Sequence, residues 1–281
     1  AAVEKGIADV SVMFNGFFGD GVLGPKVAMQ PFVAIRDAET MSRALWATNQ
    51  KYFPDEITSV QLLSQFVISP GELYSQTDTP INSLDDLAGR KMWVLPGPLA
   101  EITKKLGTGV VSGPAVQSNE IISRGVVDGH LGLDPQAVQA FQLMPYTKST
   151  TKFSGAIYST SFSVFANKDK WAEISPEDQQ AIMSVSGDVL GAAFGKRWDE
   201  AAAQGEATEA RLALRLSLLI TARFNWRSGT FSVGRREMAR MWGVTERTAK
   251  REIAEMRARG WIAVHVPAAR GRVAQYRIEL P

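Results

Sequence analysis

The residues best suited to chemistry stand in one short stretch, WGVTERTAKREIAEMRARGW (242–261). Thr245 has the side chain of a helix N-cap, and Ala249, Ile253 and Met256 recur at the spacing of one buried helical face. That leaves Arg247, Lys250, Arg251 and Arg257 pointing outward. A helix with a complete apolar stripe and a basic opposite face is what a DNA major groove accepts. Thr245, Glu246, Arg247 and Thr248 at its start would face base edges, where arginine suits guanine and glutamate suits cytosine. Lys250 and Arg251, with Arg270 and Arg272 further along, suit phosphates, which position a protein without specifying sequence.

The rest of the chain offers binding rather than catalysis. It has no cysteine and only two histidines, His130 and His265, so disulfides and thiolate metal sites are excluded and histidine catalysis has little to work with. The carboxylates of LDDL and GVVDG have no plausible partner in sequence, and the glycines of GDGVLGP lack the phosphate-loop spacing and read as a turn. No enzyme, cofactor or metal is expected. Candidate pocket residues are Phe17 and Phe18 in FNGFFGDG, Trp93 in RKMWV, His130 and Asp134 in GHLGLDP, and Tyr158 on a returning strand. The three first-named aromatics are also of the type that fills cores, and His130 reads as a hydrogen-bonding residue at a hinge.

Two modules of different character must position these residues. Residues 206–281 hold 15 Lys/Arg against 7 Asp/Glu, and residues 1–205 hold 16 against 22, so a net charge of +2 conceals +8 and −6. Such asymmetry points to different partners, nucleic acid for the basic part. At 281 residues, 45% apolar and 21% charged, the chain has material for a sizeable core. The longest strongly apolar run, Leu212–Ile220, is interrupted by Arg215 and too short to span a bilayer. The opening AAVEKGIADV shows no signal peptide.

In the front module, AVEKG reads as a helix end, IADVSVMF as a strand, DAETMSRALWATNQKYF as a helix, and ITSVQLLSQFVI (57–68) as a strand. A strand at Lys91–Leu95, a helix closed by Gly107, the strand in TGVVSGP, and a helix capped by Ser118 and stopped by Gly125 follow. This alternation implies βαβ units and a largely parallel sheet. ISPEDQQAIM starts a helix at Ser175, which continues as a long one with a weakness at Gly187 or Gly191.

The segments VEKGIADVS, SLDDLAGRKMWV, SRGVVDGHLGLDP and FSVFANKDKWAEISPEDQQAI resemble, in order and spacing, the DctP-type solute-binding proteins of tripartite ATP-independent periplasmic (TRAP) transporters. The resemblance covers nearly all of 1–205. It implies an α/β fold of two lobes (periplasmic-binding-protein-like, type II) around a cleft for a small organic acid, a periplasmic location and membrane permease partners. The strand–helix–strand that opens the family has no counterpart here. A cleft so truncated is expected to bind organic acids weakly, with an exposed strand edge favouring self-association. The family grips a carboxylate with an arginine in the strand written here RKMWV, and Trp93 stands at that register. This leaves open an acid held by Arg90 or Lys91 instead, or a different ligand class.

Residues 206–281 read as helix, strand GTFSV (229–233), helix, turn, helix and a hairpin with Arg270 and Arg272 at its tip. That order resembles the winged helix-turn-helix family, with REMARMWGVTERTAKREIAEMRARGW carrying the likeness best, and implies duplex DNA as partner. The chain is therefore expected to be a transport receptor fused to a DNA-binding domain. The alternatives are a cytoplasmic transcriptional or replication regulator with the front module as sensor or passenger, and a recombined or artificial reading frame.

Overall fold

The computed structural model describes residues 2–279 except Ala34, Ile35, Ser154, Trp226 and Arg270, and of Glu206, Ala207, Glu209, Ala210, Leu214, Ser217 and Thr221 only the backbone. The chain divides into two compact units, Ala1–Ala202 and Ala203–Pro281. Unit 1 begins with β1 (Val10–Phe14), α1 (Ala38–Tyr52), β2 (Gln61–Pro70), β3 (Leu73–Ser75) and β4 (Lys91–Val94). It continues with α2 (Pro98–Lys105), β5 (Gly109–Ser112), α3 (Ser118–Ser123), β6 (Gly129–Leu131) and α4 (Pro135–Ala140). β7 (Ser149–Thr151), β8 (Ser159–Ala166), α5 (Lys168–Glu173), α6 (Pro176–Val185) and the first part of α7 (Gly187–Arg223) complete it.

Local chemistry sets most of these boundaries. Asp37 accepts from Thr40 N–H at 2.8 Å to open α1, and Ser175 accepts from Asp178 N–H at 3.2 Å to open α6. Gly107 and Gly125 end α2 and α3 with positive φ. The weakness anticipated at Gly187 or Gly191 is a break at Gly187, whose φ of +56° separates α6 from α7. Gly191 has another use: a Cβ there would overlap the Gln65 carbonyl of β2, and one at Gly195, a turn further on, would overlap the Ala38 carbonyl of α1. These two glycines let α7 lie backbone-close against its neighbours.

Several expectations are corrected. AVEKG forms turns, not a helix end, and the second strand starts at Gln61, with Ile57 and Val60 packing instead against Val3 and Phe165. GVLGP leads into a 3-10 helix over Gly24–Met29. Ser118 is not a cap: a 3-10 turn over Ala115–Gln117 runs straight into α3, so Ser118 is already helical and buried. The sheet is not largely parallel. Only β4 pairs in parallel, with β5 and β6; β3 pairs antiparallel with β6 and β7, giving the order β5-β4-β6-β3-β7. A separate antiparallel sheet has the order β1-β8-β2. Alternation along the chain identifies the two crossovers through α2 and α3, but not the direction of strands that pass from one sheet to the other. Those passages lie side by side after β2 and before β8, where Gly71 N–H donates to the Tyr158 carbonyl at 2.9 Å.

The main core packs on the five-stranded sheet, around Leu73, Met92, Trp93, Leu99, Leu131 and Leu143. β1 lies at an edge of its sheet, with Val10 and Val12 at 56% and 50% exposure. No described helix is long and apolar enough to cross a membrane.

Unit 2 takes the end of α7 and adds β9 (Phe224–Asn225), β10 (Thr230–Ser232), α8 (Arg235–Trp242), α9 (Glu246–Ala258), β11 (Ile262–Val266) and β12 (Gln275–Ile278). The short strand β9 is absent from the sequence reading. All four strands pair antiparallel in the order β11-β12-β10-β9. Leu212, Leu216 and Leu219 of α7 share a core with Met238, Ala239 and Trp242 of α8 and Ala249, Ile253 and Met256 of α9. Gly243 in the left-handed conformation stops α8, and Thr245 caps α9 by accepting from Thr248 N–H at 3.2 Å.

Candidate functional site

In unit 1 two of the candidates, Trp93 and His130, share one face of the five-stranded sheet. The register places Trp93 of β4 beside His130 of β6, and His130 beside Tyr74 of β3. Side chains in register project to the same face, and Tyr74 stacks on His130 with ring centroids 4.4 Å apart at 17°. Two residues beyond His130, a Cβ on Gly132 would stand 3.4 Å from the Tyr158 ring and 2.6 Å from Leu99 Cδ2, so these two close over the end of β6. Trp93, His130, Tyr74 and Tyr158 are all buried. Tyr74 escaped the sequence reading because GELYSQ carries no alternation that would mark a strand.

His130 does not act as the hydrogen-bonding hinge residue expected of it. It occupies the middle of β6, and both ring nitrogens lack a hydrogen-bond partner among the described residues, as does Trp93 Nε1. Burial alone drives the His130 pKa down to about 3, so the ring is neutral. Burial likewise raises the hydroxyls of Tyr74 and Tyr158 above their ordinary range, with Thr160 opposing the shift at Tyr158. Asp134 caps α4, accepting from Ala137 N–H at 2.6 Å and from Trp198 Nε1–H at 2.7 Å. Burial raises its pKa against those hydrogen bonds.

Phe17 and Phe18 lie elsewhere. Phe17 is half exposed on a 3-10 turn, edge-on to Phe14 at 5.2 Å, and Phe18 packs beside the Val3–Val60–Phe165 cluster. Their turn touches the loop after β4, where Gly97 would bring a Cβ within 3.2 Å of Gly16 Cα. Of the two basic residues left open as substitutes for an arginine, one is engaged within the protein and the other is exposed. Arg90 donates to the Ser75 and Thr77 hydroxyls and the Thr79 and Pro80 carbonyls, and Lys91 is exposed at the start of β4. Among the described residues no cluster of His, Asp and Glu has the makings of a metal site.

In unit 2, Arg247, Lys250, Arg251 and Arg257 are exposed on α9, and Arg247, Thr248, Lys250, Arg251 and Ala254 line a shallow concavity. Three of the candidates for base contact are engaged within the protein. Thr245 and Thr248 share a hydroxyl contact of 3.1 Å, and Glu246 faces Arg236 at 3.4 Å. Arg272 is exposed on the loop between β11 and β12, and Arg270 lies outside the described residues. Sequence reasoning missed Glu252, which is buried on α9 and paired with Arg215, with Arg211 at 3.4 Å. Arg215 also lies 5.5 Å from the Trp242 ring, and burial, then the charges of Arg211 and Arg251, lower its pKa.

A mixed α/β unit of two sheets linked by paired crossing strands has the two-lobed architecture of a periplasmic binding protein. Residues 14–204 match the family described as bacterial extracellular solute-binding protein, family 7 (DctP), and the chain belongs to it. It is 34% identical over 202 residues to the outer membrane transporter protein TsaT of Comamonas testosteroni, covering 71% of this chain and 59% of that one. It is 30% identical to a TRAP periplasmic solute-binding protein from Bordetella bronchiseptica solved with bound (R)- and (S)-mandelate. The TM-score is 0.67, with 72% of this chain and 65% of that one covered. A marine metagenome TRAP solute-binding protein specific for aromatic acids, solved with meta-hydroxyphenylacetate, is 25% identical, with a TM-score of 0.66 and coverage of 74% and 66%. The chain thus spans less than two thirds of the length of the first two.

Proposed function

We propose that residues 1–205 are the ligand-holding part of an extracytoplasmic receptor that delivers a small aromatic carboxylic acid to the permease subunits of a TRAP transporter. The family match over residues 14–204 carries this reading. Two solved relatives with aromatic acid ligands support the ligand class. The stacked Tyr74 and His130 with neighbouring Trp93 and Tyr158 offer the flat, polarisable surfaces an aromatic ring packs against. Of the candidates, Trp93, His130 and Tyr158 form this site, Asp134 supports the corner after β6, and Phe17 and Phe18 stand on the turn that meets the loop after β4. A thermal-shift screen of the full chain against mandelate, 3-hydroxyphenylacetate and benzoate, with aliphatic acids as controls, tests it. Ligand at a hundred times its Kd stabilises by about 2.7 kcal/mol; no shift with any aromatic acid would rule the reading out.

A second reading rests on the exposed basic face of α9. We infer that residues 206–281 form a winged helix-turn-helix domain that binds duplex DNA. The helix–strand–helix–turn–helix–hairpin order and the outward Arg247, Lys250 and Arg251 support it. Arg247 at the start of α9 is cast as the base-reading residue, and Lys250, Arg251, Arg270 and Arg272 as phosphate contacts, with Thr245, Glu246 and Thr248 beside the bases. Gel-shift titration at three salt concentrations should show affinity falling steeply with salt. Absence of binding at low salt would remove this reading.

A further inference from the structure

Among the buried polar side chains of unit 1, two on neighbouring strands stand out. Trp93 and His130 are wholly buried, yet Trp93 Nε1 and both imidazole nitrogens have no hydrogen-bond partner among the described residues. Buried polar groups are nearly always paired, so these atoms, with the Tyr158 hydroxyl in the same core also unpaired among the described residues, are open to a ligand. The register sets Trp93 and His130 on one face of neighbouring strands. Between them they offer one fixed donor, the indole N–H, and an imidazole with one donor and one acceptor.

Among the described residues no buried cation is free to meet a carboxylate here, since Lys91, two residues before Trp93 on the same face of β4, is exposed at the start of the strand. Arg90 is held by two hydroxyls and two carbonyls, and Lys26 Nζ donates to the Phe18 and Gly19 carbonyls. A carboxylate placed against Trp93 and His130 would therefore carry an uncompensated charge into an apolar core, which is strongly unfavourable. One proton removes the difficulty. It turns the acceptor nitrogen of the imidazole into a second donor and supplies the counter-charge at the same atom.

Building on the aromatic-acid reading above, we propose that unit 1 binds its ligand's carboxylate together with one proton taken up by His130, so that the imidazolium and Trp93 Nε1–H both donate to it. One N–H bond forms on His130, the proton comes from solvent, and no covalent bond of the ligand changes. Because both side chains are closed off from solvent, unit 1 must open around them to admit the ligand. The depressed pKa of His130 in the free protein fits this scheme, since the empty site then buries no charge. Tyr74 of β3 stacks on His130, Glu72 and Asp134 act electrostatically on Tyr74, and Tyr158 before β8 lies against Gly132 two residues on. Neither tyrosine ionises near neutral pH, because burial raises both. Asp134, whose pKa is also raised, competes for the proton.

Isothermal titration of the full chain with mandelate and with mandelamide, in buffers of differing ionisation enthalpy between about pH 5.5 and 8.5, reads the proton directly. The expected result is uptake of about one proton with mandelate and none with mandelamide, the Kd for mandelate rising about tenfold per pH unit. His130→Gln abolishes the uptake, and Asp134→Asn retains it. The unaltered protein provides a check that needs no variant. The chain has two histidines, and mandelate should move the ring resonances of His130, and not those of His265, to imidazolium values. A pH-independent Kd for mandelate, or uptake that survives His130→Gln, overturns this inference and leaves the receptor reading standing. Failure of both ligands to bind overturns both.

Discussion

Replacing Glu252 tests how α9 is anchored. Its carboxylate is 2% exposed and meets Arg215, 14% exposed, with Arg211, 45% exposed, at 3.4 Å. Removing one partner of a buried ion pair strands the other and costs about 3–5 kcal/mol, whereas an exposed pair contributes at most about 1 kcal/mol. Arg215 keeps its place over the Trp242 ring, which offsets part of the loss. It also faces the like charges of Arg211 and Arg251. We therefore expect Glu252→Ala to destabilise unit 2 by about 3 kcal/mol, and Arg211→Ala by less than about 1 kcal/mol. For a domain of this size 1 kcal/mol moves the Tm by about 4–8 °C, so the unit 2 transition should fall by about 12–24 °C. Differential scanning calorimetry of the full chain measures it, with hydrogen exchange of α8 and α9 amides identifying the transition. Replacing Glu252 and Arg215 together by methionine should restore most of the loss, since apolar substitutes for a buried pair are close to neutral. A Glu252→Ala effect no larger than that of Arg211→Ala would show that the carboxylate is solvated and the reasoning mistaken.

Three further outcomes are expected. Gly191→Ala should cost about 1–3 kcal/mol by thermal denaturation, because the added methyl overlaps the Gln65 carbonyl and α7 must shift away from β2. Stability should fall on acidification. His130 binds its proton at about pH 6.5 when unfolded and at about 3 when folded, so unfolding takes up a proton between those values and ΔG drops by about 1.4 kcal/mol per pH unit. Urea titrations at several pH values check this, and His130→Gln should flatten the slope. On DNA, Arg247→Ala should reduce discrimination at one base pair by roughly 1–3 kcal/mol. Arg272→Ala should weaken all sequences alike and lower the salt slope; a uniform loss from Arg247→Ala in competition gel shifts would reassign it to phosphate.

Elements governed by nearby residues were the legible ones. Thr245, Gly243, Ser175 and Gly125 mark helix ends through their own side chain or φ, and the structure has them in those roles. The buried stripe of α9 was readable at Ala249, Ile253 and Met256, but not at Glu252, because a helical glutamate is ordinarily outward and its partner Arg215 is on another element. Strand direction was misread for the same reason. The pairing of β3 with β6 and β7 depends on where the chain crosses between sheets, and no local pattern records that. Trp93, His130 and Tyr158 are legible as residue types; Trp93 and Tyr158 share one core, to which His130 is joined through its stack on Tyr74. Their missing hydrogen bonds and the stack on Tyr74 are properties of neighbours brought together by register, invisible along the chain.

The edge position of β1 has a consequence for exchange measurements. In an antiparallel edge strand alternate amides point toward the neighbour, here β8, and the others point outward. Deuterium should thus enter Val10–Phe14 in a two-residue rhythm, slow where β8 shields the N–H and fast where water reaches it. Any strand that docks along this edge would silence the fast members while leaving the slow ones unchanged. Five consecutive amides then serve as a built-in gauge of association, one that reports which side of the sheet has been covered without reference to the mass of the particle.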